Sequence, residues 1–511
     1  MTASQLQSSV PQADIQRSKF NRSHGLKTTF DCDKLVPIFL DEVLPGDTHK
    51  LNANLFARLA TPINPIMDNM YLDTFYFFVP MRLVWDNYDK FFGAQDNPGD
   101  TTDYVIPSRH ATNWLQSSLG DYMGLPTHAS HDFNVLPLRA YWLIYNEWFR
   151  DQNLQDSVDV PKTDAGVVST TPDWHLPATR GKRHDYFTSC LPFAQKGNDV
   201  YVPLGDKAYV SLDGSGVNMS LSVTDGSGNN RLIDTLDTWA NTDTITTVEN
   251  TKLYADLAQA TSATINEWRQ AFQIQRFLER DARGGTRYTE KVKAHFGVTS
   301  PDARLQRPEY LGGSSAPINI HPVAQQSSTD ATSPQGNLSA FGTVSETRSG
   351  FTKSFTEHGY IIGLANVRAD LTYQQGLDKL WSRETQYDFF FPTFAHLGEQ
   401  AVLNKEIFVS GTATDEEVFG YQERYAEYKY KRSQLTGLFR SDASGSLDAW
   451  HLSQDFANTP TLGDEFIKSN TPLDRCIAVP SEPHFIMDAY FDYTSIRPMP
   501  VFSPPGMIDH F

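Results

Sequence analysis

The run His484–Thr494, HFIMDAYFDYT, sets Phe485, Met487, Ala489 and Phe491 at alternate positions with more polar residues between them. A period of two sends every second side chain to the same face, so this is a strand with one buried and one wetted side. Tyr71–Val79, YLDTFYFFV, is a second strand, dense in aromatic and β-branched residues and closed by Pro80. Gly359–Tyr373, GYIIGLANVRADLTY, reads as a strand of about 12–15 residues, long enough to belong to a large sheet. Lys34–Val43 carries Val36, Ile38 and Leu40 before the turn Pro45-Gly46-Asp47, and Leu51–Ala60 alternates weakly. Gly313–Asn337 is small and polar, with turn residues. Strands toward both ends, long connections and no internal repeat predict a mainly β chain. The expected architecture is an antiparallel β-sandwich of Greek-key or jelly-roll type with long helix-containing loops and insertions.

Two helices interrupt the β pattern. Leu138, Tyr141, Trp142, Tyr145, Trp148 and Phe149 fall on one apolar stripe, as expected of a helix packed on the core. Thr264 and Glu267 have capping-box spacing, Ile265, Trp268, Phe272 and Leu278 follow as an apolar face, and Gly284-Gly285 ends the helix after Arg280 and Arg283. Residues 199–262 differ from both. They hold Asp213-Gly214-Ser215-Gly216, Asp225-Gly226-Ser227-Gly228 and short alternating pieces such as Val217–Val223. This composition predicts a turn-rich insertion outside the main core.

The chain has 511 residues and a net charge of -18. A protein that coats nucleic acid over its whole surface should be basic, because neutralising phosphate supplies most of that affinity. Contact with DNA would therefore need a local basic patch or a separate cationic partner. The first thirty residues supply one candidate patch. They carry Arg17, Lys19, Arg22 and Lys27 against Asp14 alone, and read as a mobile basic arm. The alternative is an unstructured terminus whose cations are there by chance. Tyr421–Arg440, YQERYAEYKYKRSQLTGLFR, is the second candidate. Here Tyr425, Tyr428 and Tyr430 interleave with Arg424, Lys429, Lys431 and Arg432, and stacking platforms beside cations suit single-stranded nucleic acid. In the competing reading the tyrosines pack at a subunit seam while the cations pair with Glu423 and Glu427.

Catalytic and metal-binding signatures are missing. No GxxxxGK[ST], GxGxxG after a strand, HExxH or GxSxG occurs. His128 and His131 sit in a turn-like stretch and read as loop histidines. Asp225, Ser227 and Asn229 imitate the start of a calcium loop, but Leu236 stands where its last ligand belongs. Asp31 and Asp33 around Cys32, and the pair Glu416-Glu417, are acidic pairs common in acidic proteins. Three widely spaced cysteines, Cys32, Cys190 and Cys476, predict buried thiols, not a disulfide or zinc framework. No apolar run approaches the roughly 20 residues of a spanning helix, and the N-terminus lacks a secretory h-region, so no membrane insertion is expected.

Longer segments point to a family. Arg287–Gly313, RYTEKVKAHFGVTSPDARLQRPEYLGG, strongly resembles the signature of gokushovirus major capsid proteins, the microvirus F protein family. Ser23–Ala60 resembles the same family, as do Asn64–Asp68, Phe77–Pro80, Phe351–Gln400, Tyr421–Gly437 and the C-terminal strand. The similarity is collinear over most of the chain, and 199–262 is where it departs from a consistent pattern. The resemblance implies a viral jelly roll assembled as a T=1 icosahedral shell around a circular single-stranded DNA genome. Residues 1–30 would then be an interior arm, 31–198 the first part of the jelly roll, and 199–262 a variable surface protrusion at the threefold axes. Residues 263–511 would complete the roll and the inter-subunit loops. It further implies a small basic DNA-binding capsid protein, a scaffolding protein during assembly, and a host-cell receptor that could be a glycan. The product would be a virion component assembled in the bacterial cytoplasm, with no cofactor and no catalytic turnover. From the residues alone, a β-sandwich carbohydrate-binding or carbohydrate-active protein is the rival, since nine tryptophans and acidic pairs would suit a sugar cleft.

Overall fold

The computed structural model describes residues 16–502 apart from 112–113, 171–172, 300–305, 328, 330–333 and the segments that join short strands over 202–264. The chain divides into two compact units, 1–194 with 286–511, and Gln195–Gly285.

In the larger unit the leading strands are β1 (Ser18–Asn21), β2 (His24–Phe30), β3 (Val36–Val43), β4 (Thr48–Leu59) and β5 (Met70–Pro80). A short hairpin follows, β6 (Ser108–Ala111) with β7 (His131–Asn134). In the smaller unit, β8 (Tyr209–Leu212) pairs with β12 (Leu253–Asp256). There β9 (Ser222–Thr224) lies between β10 (Asn230–Leu232) and β11 (Thr244–Thr246). The larger unit resumes with β13 (Glu309–Pro317), β14 (Asn319–Ala324), β15 (Leu338–Ser354) and β16 (Gly359–Ala369). It ends with β17 (Glu399–Leu403), β18 (Val418–Glu423) and β19 (Phe485–Arg497).

Two antiparallel sheets carry the larger unit. The first has the order β1-β19-β4-β15-β14, with β2 also on β19, and the second has β13-β5-β16-β3. Between them lies a core built from alternate residues of both. Leu51, Ala53, Leu55 and Ala57 of β4, with Phe485, Met487, Ala489 and Phe491 of β19, face Leu72, Tyr76 and Phe78 of β5 and Ile361, Ala365 and Val367 of β16. This is the β-sandwich of a jelly roll, as expected.

The two sheets differ in what covers their outer faces, and their sequences differ for that reason. Strand β19 is wetted on one side and keeps a clean alternation, as does β4, whose alternation was legible only weakly. Strands β5 and β16 are buried on both sides and read as nearly continuous apolar runs. Their second face, with Phe77, Val79, Ile362 and Leu364, is covered by the helix Leu136–Ile144 and the connections around it. That helix carries the anticipated stripe, and its last turn widens into a π-turn over Tyr145–Phe149. From it Arg139, fully buried, donates to the carbonyls of Val84, Thr163, Ala165 and Val167, fixing the loop above.

One expectation needs correction, and two stretches were read incompletely. Gly313–Asn337, read as small and polar with turn residues, carries the end of β13 and the whole of β14. The longest strand, β15, had no signal, because Arg348 at φ 65° forms a bulge between Thr347 and Ser349. Buried positions run Ala340, Gly342, Val344, Glu346 before the bulge and Ser349, Phe351 after it, so the period changes phase mid-strand. The mobile arm expected over residues 1–30 does not extend over Ser18–Phe30. Those residues pair with β19, Ser18 opposite Arg497 and Phe30 opposite Phe485.

In the smaller unit the helix Ile265–Gly284 stops before Gly285 at φ 96°, as the paired glycines predict. Its apolar residues Ile265, Trp268 and Phe272 are exposed, while Leu278 is half-buried. The calcium-loop imitation at Asp225, Ser227 and Asn229 lies outside the described residues. The three cysteines are free and buried.

Strand β19 lies between β4 and the β1–β2 pair, so its inward side chains touch both sheets. Phe491→Ala should destabilise the subunit by about 3–5 kcal/mol, a cavity effect read as a lower denaturation midpoint with an unchanged slope.

Candidate nucleic-acid and assembly surfaces

The N-terminal cations sit on the β1–β2 margin of the first sheet. Arg17 and Lys19 are exposed. Lys27 reaches Asp488 at 3.4 Å on the wetted face. Arg22 is already engaged. Its Nη2 donates to Asp41 Oδ1 at 2.8 Å, and the guanidinium lies 5.3 Å over the Tyr493 ring. Asp41 also accepts from the Tyr493 hydroxyl and lies 3.6 Å from Arg497. Deeper, His49 Nε2 meets Asp47 at 3.1 Å, and its Nδ1 meets Ser495 and Tyr493 hydroxyls at 2.9 and 2.8 Å. The network ties the link between β1 and β2 to β3, β4 and β19. Burial holds the His49 pKa below its usual 6.5, aided by Arg497 and opposed by Asp47 and Asp41.

The second cation group stands on and after β18, beside β17. Tyr425 is only 4% exposed, in the left-handed backbone region at φ 62°, with its hydroxyl toward the Phe389 carbonyl. Arg432 donates to the backbone carbonyls of Glu406 and Gly376, and its guanidinium lies 5.7 Å from the Phe187 ring. These two residues brace the local fold, which corrects their assignment as nucleic-acid contacts. Lys429 pairs with Glu423 at 2.5 Å and Lys431 with Asp378 at 2.9 Å. Glu427 is taken by Arg383 and Gln400, so only part of the anticipated ion pairing forms as expected. Arg424 lies over Tyr425 at 4.9 Å, and Tyr428 and Tyr430 are exposed. Among the described residues no hydrogen bond, ion pair or ring contact joins this group to the N-terminal one.

Beside Tyr425 and Tyr428 lies a feature the sequence pattern did not reveal. Residues 377–397 form a strap of short 3-10 turns, capped by Asp378 under Leu380 and by Asp388 under Thr385. Trp381 is 73% exposed, and Leu380, Tyr387, Phe389, Phe390, Phe391 and Leu397 are each 47–60% exposed. Phe390 packs on Tyr425 with ring centres 5.1 Å apart, and Arg383 lies 4.3 Å over Tyr428. A contiguous apolar surface of this kind marks a protein–protein contact. The segment has no helical or strand period, which is why periodicity missed it. Its one signal was the density of phenylalanines in FFFPTF.

The acidic pairs have structural duties. Asp33 accepts from the hydroxyls of Ser469 and Thr471 at 2.7 and 2.9 Å, and Asp31 accepts from the His484 backbone. Glu416 pairs with Lys405 at 2.7 Å. His131 lies in β7, with Nδ1 on the Ala129 carbonyl.

Two outcomes follow. A His whose folded pKa is depressed leaves the unfolded chain binding more protons below pH 6.5, so stability falls as the pH drops through that value. His49→Gln should flatten this slope in denaturation curves at pH 7 and pH 5.5. Arg432→Met should cost about 1–3 kcal/mol in unfolding free energy by stranding two carbonyls.

Comparison with known proteins agrees with this architecture. The capsid protein (F protein) family matches residues 8–507. Capsid protein VP1 of Bdellovibrio phage phiMH2K is 49% identical, covering 98% of this chain and 97% of that protein. Capsid protein VP1 of Chlamydia phage 1 is 46% identical, with 98% and 97% covered. Capsid protein VP1 of Spiroplasma virus 4 is 36% identical, with 96% of each covered. A sandwich with a broad exposed aromatic surface, matched along nearly its whole length, places this chain in the microvirus capsid protein (F protein) family, as a structural component of the virion.

Proposed function

We propose that this subunit closes with copies of itself into a T=1 icosahedral shell around a circular single-stranded DNA genome. The exposed strap at 377–397 is the observation that carries the reading. Burying its aromatic side chains against a neighbour removes a large apolar surface from water, at roughly 25 cal/mol per Å². Closed symmetry repeats the same contact without leaving an open edge. Tyr428 and Tyr430, adjoining the strap, belong to the same seam.

In this reading Arg17 and Lys19, with Arg424, Lys429 and Lys431, contact DNA weakly, and a small basic partner protein neutralises most of the genome. The net charge of -18 supports that division of labour. A scaffolding protein would hold subunits before closure. The turn-rich segment 199–262 would face outward and contribute to attachment to the host surface, with a glycan as the receptor.

Electron microscopy of the expressed chain should show small isometric particles. Trp381→Asp with Phe390→Asp should abolish them while leaving a folded subunit with unchanged circular dichroism. If such particles still form in normal yield, the strap is not a seam. Replacing Arg424, Lys429 and Lys431 with Ala should lower packaged DNA more than the number of empty shells, and equal loss of both would refute the assignment. Deleting 199–262 should leave the larger unit soluble.

A further inference from the structure

A cavity of about 510 Å³ opens beside the π-turn of the larger unit, between β5, β13 and the segment Arg180–His184. One wall is aromatic and includes Phe75, Phe77, Trp148, Phe149 and Tyr310. Trp148 and Tyr310 are about two-fifths exposed, with ring centres 6.0 Å apart. The rest of the lining is cationic. Arg150, Arg180, Lys182, Arg183 and Arg368 are there against Asp151 alone.

The carboxylates behind the wall do not balance these charges. Asp73 serves two guanidiniums at once, Arg180 at 2.6 Å and Arg368 at 3.2 Å. Asp370 holds Arg183 at 2.5 Å. The Lys182 backbone N–H donates to the Ile467 carbonyl at 2.8 Å, while its ammonium lies 4.1 Å over the Phe466 ring and has no hydrogen bond or ion pair among the described residues. The Nε atoms of Arg150 and Arg368 are buried without a hydrogen-bond partner. Burial and neighbouring cations bring the Arg180 pKa down to about 10, and burial brings that of Lys182 down to about 8. A bound anion would relieve both conditions.

We propose that this cavity seats one nucleotide unit of a single-stranded nucleic acid, its base against Trp148 and Tyr310 and its phosphates toward Arg150 and Arg183. Volume and lining both fit. Sites for small organic groups run from about 300 to 1,000 Å³. A phosphate alone needs no aromatic wall, whereas every base has a face to stack. Arg307, 4.8 Å over the Trp148 ring, adds one more cation at the rim. The assignment rests on the reading of the chain as a shell around single-stranded DNA. It names a pocket for that DNA distinct from the Tyr421–Arg440 stretch.

Binding of a labelled oligo(dT) to the full-length, unassembled subunit over a range of salt concentrations tests it. Arg183→Gln, at a side chain 37% exposed and so tolerant of change, should weaken binding and reduce the salt slope by about one. Trp148→Leu and Tyr310→Leu should each weaken binding roughly tenfold with the slope retained. Binding unchanged in all three folded variants overturns the proposal. So does displacement of the oligonucleotide by inorganic pyrophosphate at equal concentration with both aromatic variants binding normally, which would mark a plain anion site. Imaging the same preparations separates this from the shell reading. Particles formed by a chain whose oligonucleotide binding ignores the variants refute the pocket alone. Variant-sensitive binding by an unaltered chain that never forms particles refutes the shell alone.

Discussion

The first sheet depends on a strand that arrives last. Strand β19 pairs with β4 along one edge, Phe485 opposite Leu59 through Ile496 opposite Thr48, and with β1 and β2 along the other. Without Phe485–Arg497 the layer opposite β5 and β16 would lose Phe485, Met487, Ala489 and Phe491, and β1 and β2 would have nothing to pair with. Ends separated by more than 450 residues must therefore meet before the core closes, an entropic demand met by one contiguous apolar face and its ladder. The network of Arg22, Asp41, Asp47, His49, Tyr493 and Arg497, buried at Asp47, His49 and Tyr493, sits at that meeting point. It also explains why Arg22 is held at the sheet margin.

The second sheet has a different problem and solves it locally. Its strands are buried on both faces, so the chain supplies its own cover in the helix Leu136–Ile144 and the loops that Arg139 pins by four carbonyls. With both sheets covered where they need to be, the long connections are free to serve as surfaces. The strap at 377–397 shows this use. Its turns are stabilised by capping carboxylates and backbone bonds, leaving the aromatic side chains unburied within the subunit. An interior that needed those side chains would have drawn them in.

How far the pattern was legible varied with burial. Alternation located β19 because one face is wet, and aromatic density located β5. Strand β15 was illegible because its inward residues are small or polar and the bulge at Arg348 reverses their phase. At Tyr421–Arg440 residue types could not separate roles. Arg432 and Lys431 are neighbours in sequence, yet one guanidinium braces two carbonyls and the other cation stands at the surface beside Asp378. The strap and the cationic cavity went unseen because each gathers residues with no shared period. The cavity draws from β5, the π-turn, Arg180–His184, β13 and β16.

Local order in the chain was enough for the fold class, the helix on the core, the glycine stop at 285, the buried thiols and the family. Those features depend on periodicity, turn chemistry and long collinear segments, all of which survive in one dimension. Which cations are free, which tyrosines are exposed and where aromatic and basic groups converge were decided in three dimensions. Charge pairing and burial depend on distances between residues far apart in sequence, and only the folded sandwich sets those distances.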